Sequence, residues 1–398
     1  MAISRRDVLL GSAGALGAAS FSFPAPAIAQ SDSIKIGCLA AMTGPSSAPT
    51  LGFNRGVDFA VKAINGAGGV KGRKIEIVMR DTQGDPTKAV NATQEMISQV
   101  KVHGIWGPLN SGEALATTPI MARAKMPDIH PCVVETLIDP AKFPNAFRMA
   151  PSNSQWDDAV RNYCLNILKV KKIAVIGDTT GYGVTAVGAS VAAFKKDGAE
   201  VVYQANIDAT QPDLTPDMLR MKNAGTEAIV VWTVSTGMEA RMFNVRAAMS
   251  WDVPFVGHPS LASGEIAGLV EKPENWKKVY AIGYKSCSYD ASGKLPPKSE
   301  DLVARLKKAN IALNDTLLWW VAGGIDVIEL FAKAIEASGS TEAQGIIAYL
   351  NTLNKYPGYF GDYTFTPTQH NGYPTEEIVM SESSTAKDGT FALAPGYS

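Results

Sequence analysis

Cysteine, histidine and net charge are all scarce in this chain of 398 residues. The four cysteines, Cys38, Cys132, Cys164 and Cys287, stand far apart and form no C-x-x-C pair. That excludes a disulfide framework, and Cys38, inside an apolar run, reads as a small buried hydrophobe. The four histidines, His103, His130, His258 and His370, show no H-E-x-x-H or other paired spacing, so no zinc site is expected. A G-x-S-x-G elbow and a G-x-x-x-x-G-K-[ST] phosphate loop are both missing. Lys and Arg number 37 against 38 Asp and Glu, so there is no basic surplus to displace counterions from nucleic acid. The carboxylate pairs Asp157-Asp158 and Glu376-Glu377 read as solvated faces. Catalytic groups are thin, and neither a cofactor nor a metal is expected.

One apolar run is present, at 8–23, and it is short and glycine-rich. Arg5-Arg6 precede it, and Ala27-Ile28-Ala29 has the small-x-small form of a cleavage signal. Residues 1–29 therefore read as a signal peptide. Ser4-Arg5-Arg6-Asp7-Val8-Leu9 has the form of a twin-arginine signal, with Val where Phe is commoner. The expectation is a chain exported to the periplasm by that route, with no membrane insertion after cleavage. Without Arg5, Arg6 and Asp7, 35 basic and 37 acidic residues remain of the original 37 and 38.

Hydrophobic residues make up 46% and charged residues 19%, enough apolar material for two sizeable cores. Strand-like runs at 34–38 and 75–79 flank a helical spacing at 56–65, carried by Val57, Ala60, Val61 and Ile64. A helix at 88–100, a strand at 104–106, a helix at 113–124 and a strand at 128–132 follow. The order then restarts: strand 172–177, helix 184–196, strand 200–204, strand 228–232, helix 238–249 and strand 254–257. Alternating strands and helices predict parallel sheets covered on both faces. The repetition predicts two similar α/β lobes with a first boundary near 147–152. Helical spacing at 311–336 and 343–353, with strands near 364–366 and 376–380, is too little for a third domain. This tail is expected to return to the first lobe and cross once more.

Met42-Thr43-Gly44-Pro45, Ile64-Asn65-Gly66-Ala67-Gly68-Gly69-Val70-Lys71-Gly72, Asp81 and Asp85-Pro86 carry a resemblance. The chain resembles the branched-chain amino-acid-binding family, the type I periplasmic solute receptors of ABC importers, from Ile34 to about Gly372. The resemblance implies two Rossmann-like α/β/α lobes joined by three hinge crossovers, with a ligand in the cleft between them. It divides the chain into 30–150 and 286–358 for lobe 1, and 151–285 and 359–398 for lobe 2 and tail. It also implies a monomer, a small-molecule ligand, and permease and ATPase subunits as partners.

Candidate ligand residues cluster after strands. Gly107-Pro108-Leu109-Asn110-Ser111-Gly112 opens a helix, whose free N–H groups and dipole favour an anion. Ser111 reads equally as a helix cap; the resemblance assigns Ser111 and Gly112 to a ligand carboxylate. It also assigns the Cys132 carbonyl, and it places Val134 where the family carries a threonine. Tyr182 matches a cleft tyrosine in the family's D-x-x-Y-G loop. Ser235 and Thr236, after the strand 228–232, read as cleft donors or caps. Pro259 stands where amino-acid receptors carry a glutamate, which weakens the expectation of an α-amino acid and leaves aromatic carboxylates open. Trp106, Trp232, Trp319 and Trp320 near strand ends or helix starts would suit such a ligand. Gly181-Tyr182-Gly183-Val184-Thr185-Ala186 also matches G-x-G-x-x-A, so an exported dinucleotide-dependent enzyme is one rival. A ligand-sensing subunit without a transport role is the other.

Overall fold

The computed structural model describes residues 33–44 and 46–397; residues 1–29, read above as a signal peptide, and Pro45 lie outside them. Strand β1 (Ile34–Ala40) is buried along nearly its whole length, as a parallel strand covered on both faces must be. It pairs in parallel with β2 (Ile75–Asp81) on one side and β3 (Gly104–Trp106) on the other. Strands β4 (Asp128–His130) and β5 (Ala146–Arg148) complete a sheet of order 2-1-3-4-5. The second sheet repeats this plan with β6 (Lys172–Asp178), β7 (Glu200–Ile207), β8 (Ala228–Trp232), β9 (Phe255–Gly257) and β10 (Val279–Tyr284). Its order is 7-6-8-9-10, with one addition: Ile378–Glu382 pairs antiparallel with β10 at the outer edge.

Helices cover both faces, as the alternating pattern predicts. Helix α1 (Ser47–Gly66) starts nine residues before the spacing at 56–65 suggests. Pro49 lies in its first turn, where a missing N–H costs little. Gly56 looks like a weak point, yet it is where α9 (Leu318–Ser338) crosses. A Cβ on Gly56 would lie 1.9 Å from the Val321 carbonyl oxygen, and one on Gly324 would lie 2.0 Å from that of Phe53. The two backbones touch through paired glycines, so close packing overrides local propensity. Helix α9 itself begins at Leu318; residues 311–317, read as helical, are not.

The chain passes between the sheets three times: after β5, after β10, and between Gly372 and Ile378. Before the last passage, the Arg148 N–H donates to the His370 carbonyl at 2.8 Å and the Gly372 N–H to the Arg148 carbonyl at 2.9 Å. All four cysteines are buried and unpaired, Cys38 in the centre of β1. One carboxylate reading is corrected. Asp157, on α4 (Asn153–Asn162), is 4% exposed and binds Arg161 at 2.8 Å, because it faces inward while Asp158 faces water.

Candidate functional site

The carboxyl ends of both sheets face one cavity of about 50 Å³. One water needs ~10–15 Å³, so the space takes a few waters or a small molecule. The first lobe supplies Ala41 and Ser46 after β1, Pro49, Thr50 and Phe53 of α1, Leu109 and Asn110 after β3, and Pro131 and Val133 after β4. Trp319 and Trp320 come from the start of α9. The second lobe supplies Trp156 of α4, Tyr182 of α5 (Gly181–Lys196), Val234 after β8 and His258 after β9. Strand-end loops are where open α/β sheets place their ligands.

Aromatic rings dominate the wall, and none of its residues carries a charge. Phe53 meets the Trp319 ring edge-on at 5.7 Å, and Trp319 meets Trp320 at 5.9 Å. Across the cavity, His258 packs edge-to-face against Trp156 at 5.1 Å and Tyr182 at 5.4 Å. The Trp156 Nε1–H donates to the Tyr284 hydroxyl at 2.9 Å, which fixes that indole. Three wall groups have no such partner: Thr50 Oγ1, the Tyr182 hydroxyl and Trp319 Nε1 are buried and unbonded. An unsatisfied buried polar group costs about 1–3 kcal/mol. All three belong to residues of one cavity wall, but the atoms themselves are closed off from its water-accessible space. Burial holds His258 neutral, its pKa lowered to about 3, and pushes the Tyr182 hydroxyl upward.

Of the residues singled out from the sequence, Tyr182, Trp319 and Trp320 lie on the cavity wall, and Trp106 and Trp232 do not. Ser111, Gly112, Cys132, Val134, Ser235 and Thr236 lie outside it, most of them one residue from a wall residue. Ser111 is buried, and its Oγ accepts from Cys132 Sγ at 3.4 Å. The cap of α3 (Ser111–Arg123) is Asn110, whose Oδ1 accepts the Gly112 N–H at 3.0 Å. The Val134 carbonyl accepts from Arg148 Nη1 at 3.0 Å. Ser235 caps α7 (Thr236–Ala248), accepting the Met238 N–H at 3.3 Å, and Thr236 Oγ1 donates to Glu265 at 2.8 Å. Phe53, Thr50, Trp156 and the ring of His258 were not singled out as ligand-facing. A signal existed for Trp156: Ser152 and Gln155 form a capping box that starts its helix at the lobe boundary. Phe53 lies in the part of α1 hidden by proline and glycine.

The lobes also touch outside the cavity. A Cβ on Gly181 would lie 2.7 Å from Gly112 Cα, whereas one on Gly112 would find Gly181 no nearer than 3.5 Å. Gly112 thus occupies the space over the G-x-G-x-x-A helix start, where a dinucleotide would place its pyrophosphate. Each lobe also buries a carboxyl in the first turns of the helix after its third strand. Burial pushes the pKa of Glu113 of α3 to about 7, against the lowering effect of the Thr82 hydroxyl beside it. Glu239 of α7 is raised as well, by burial, and one of its oxygens is bonded by Ser260. Among the described residues, no three His, Cys, Asp or Glu side chains are grouped to hold a metal. No helix among them is long and apolar enough to cross a membrane.

A sequence profile for periplasmic binding proteins matches residues 33–386. Leu/Ile/Val-binding protein homolog 3 of Brucella melitensis biotype 1 is 28% identical over 364 residues, covering 91% of this chain and 94% of that protein. The branched-chain amino-acid transporter substrate-binding protein LivJ of Streptococcus pneumoniae, solved with isoleucine, superposes with a TM-score of 0.76 at 23% identity, covering 91% of this chain and 99% of that one. An ABC-transporter solute-binding protein of R. palustris, solved with 4-hydroxybenzoate, does so at 0.75 and 22%, covering 91% and 96%.

Proposed function

Because the chain belongs to the type I periplasmic binding proteins of the Leu/Ile/Val-binding family, we propose that it is the solute receptor of an ABC importer whose ligand is a small aromatic carboxylic acid. The observation that carries this reading is the cavity wall, which joins edge-on and tilted aromatic rings with polar side chains and no charged one. An α-amino acid brings an ammonium group, and burying that charge without an anion is costly. A carboxylate or phenol oxygen instead needs donors, which Trp319 Nε1–H, Tyr182 O–H and Thr50 O–H would supply once the wall shifts around a ligand. The 4-hydroxybenzoate in the R. palustris structure supports this class, and the isoleucine of LivJ marks the alternative.

Function then follows from hinge closure. A ligand touching both lobes favours the closed form, and a permease with its ATPase recognises that population. Ser111, Cys132, Val134 and Ser235 act behind the wall by holding the loops in place. Family membership places the protein in the periplasm, where a twin-arginine leader would deliver it folded.

The test is native mass spectrometry of the protein as purified, followed by thermal melting of unfolded-and-refolded protein with benzoate, 4-hydroxybenzoate, L-leucine and L-phenylalanine. Aromatic acids should raise the melting temperature, with about 2.7 kcal/mol of stabilisation at a hundredfold excess over Kd. A shift with leucine alone replaces the ligand class with aliphatic amino acids. Loss of uptake of the identified ligand on gene deletion separates import from sensing.

A further inference from the structure

His258 is the one nitrogen heterocycle with two hydrogen-bonding atoms on the cavity wall, and its two nitrogens are in different situations. Nδ1 accepts the Ser260 backbone N–H at 3.1 Å and lies 2.7 Å from Ser260 Oγ. An amide N–H only donates, so Nδ1 of this ring is an acceptor. Nε2 has no protein partner among the described residues and is not sealed from the cavity. A neutral imidazole with an acceptor at Nδ1 carries its proton on Nε2. Ser260 is itself tied down: its Oγ lies 2.9 Å from the Thr233 carbonyl, and it also bonds Glu239 in α7. Trp156 and Tyr182 both pack edge-to-face against the ring and fix its orientation.

We infer that His258 is the specificity-determining donor of this receptor. Its Nε2–H selects a ligand with an acceptor oxygen at that point and turns away one bearing an ammonium. Ser260 and Glu239 act through it as positioning residues. The inference rests on the proposed ligand class and deepens it by naming the atom that discriminates. The physical reason is the asymmetry of buried hydrogen bonds: a site built to donate leaves its donor facing another donor when the wrong ligand enters.

Isothermal titration of ligand-stripped protein with benzoate and with benzylamine tests this. The two differ in the group that would face His258, a carboxylate acceptor against an ammonium donor. Wild-type protein should bind benzoate and not benzylamine. His258→Leu should weaken benzoate about 10- to 100-fold, while His258→Gln, which keeps an N–H at similar reach, should restore most of the loss. Far-ultraviolet circular dichroism and melting of each variant show that the fold survives. A ¹⁵N histidine spectrum supplies a second readout: His258 Nε2 should be the protonated nitrogen, it should move on adding benzoate, and Ser260→Ala, which keeps the backbone N–H, should leave that assignment in place. Unchanged benzoate affinity in His258→Leu, or a proton found on Nδ1, overturns the inference while leaving the ligand class standing. Wild-type protein indifferent to every aromatic acid overturns the ligand class, and the inference with it.

Discussion

The two lobes share a strand order and differ in what they bring to the cavity. The first lobe supplies a broad apolar bed, Phe53, Leu109, Val133, Trp319 and Trp320, reached from four separate segments. The second supplies four residues, of which Tyr182 and His258 end in polar atoms. One architecture thus serves as floor in one copy and as cap in the other. The difference arises from the tail. Helix α9 returns to the first lobe and adds two tryptophans there, while the edge strand that the second lobe receives lines no part of the cavity. Duplication gives two equivalent platforms, and the return segment makes them unequal.

That inequality can be broken most severely at the floor. Trp319→Ala removes a buried indole and should cost about 3–5 kcal/mol of stability. It should also abolish ligand binding in titration, whereas Tyr182→Phe on the cap should weaken it by about tenfold. Equal losses at both positions would mean that the lobes share the ligand evenly.

A second difference concerns the two buried carboxyls. Glu113 has a folded pKa of about 7, above its ordinary 4.5, so the folded state holds a proton that the unfolded state releases. Its favourable contribution is complete below about pH 4.5 and is lost as pH rises through 7. The full loss is roughly 3 kcal/mol. Glu113→Gln should flatten the fall in denaturation midpoint between pH 4.5 and 8 relative to wild type. A variant that tracks wild type across that range would show that Glu113 is ionised in the folded protein.

The contact between lobes should respond asymmetrically. Gly181→Ala brings a methyl group to within 2.7 Å of Gly112 and should hold the lobes apart, whereas Gly112→Ala has more room. Overpacking of this kind costs about 1–3 kcal/mol. Ligand affinity should therefore drop about tenfold or more in Gly181→Ala, with a larger radius of gyration for the liganded protein in small-angle scattering. The smallest expected effect separates the two helix caps. Asn110→Ala and Ser235→Ala should each cost about 1 kcal/mol of stability. Only the first, on the cavity wall, should also change affinity.

Much of this was legible locally. The strands announce themselves as apolar runs between glycine turns, and their repetition reveals two lobes. The start of α1 was not legible, because Pro49, Gly52 and Gly56 argue against a helix until α9 lies across them. Trp319 and Trp320 stood out as aromatics, but Phe53 did not: it meets Trp319 across more than 260 residues of chain, and no local spacing encodes that meeting. Tyr182 was found because its loop carries a recognisable pattern. His258 was passed over as a scattered histidine, since its tautomer depends on Ser260 and its exposure on the opposite lobe.

The crossing of α1 by α9 has a consequence for synthesis. Helix α1 is complete at Gly66, and the segment that covers it begins at Leu318, roughly 250 residues later. At ~5–20 residues per second, the nascent chain carries the apolar stripe of α1 uncovered for on the order of ten to fifty seconds. Neither lobe can be completed until late in synthesis, because the second also awaits Ile378–Glu382. Such a chain is a natural client for holdase chaperones throughout elongation, and the glycines that let two helices touch also set how long it must be guarded.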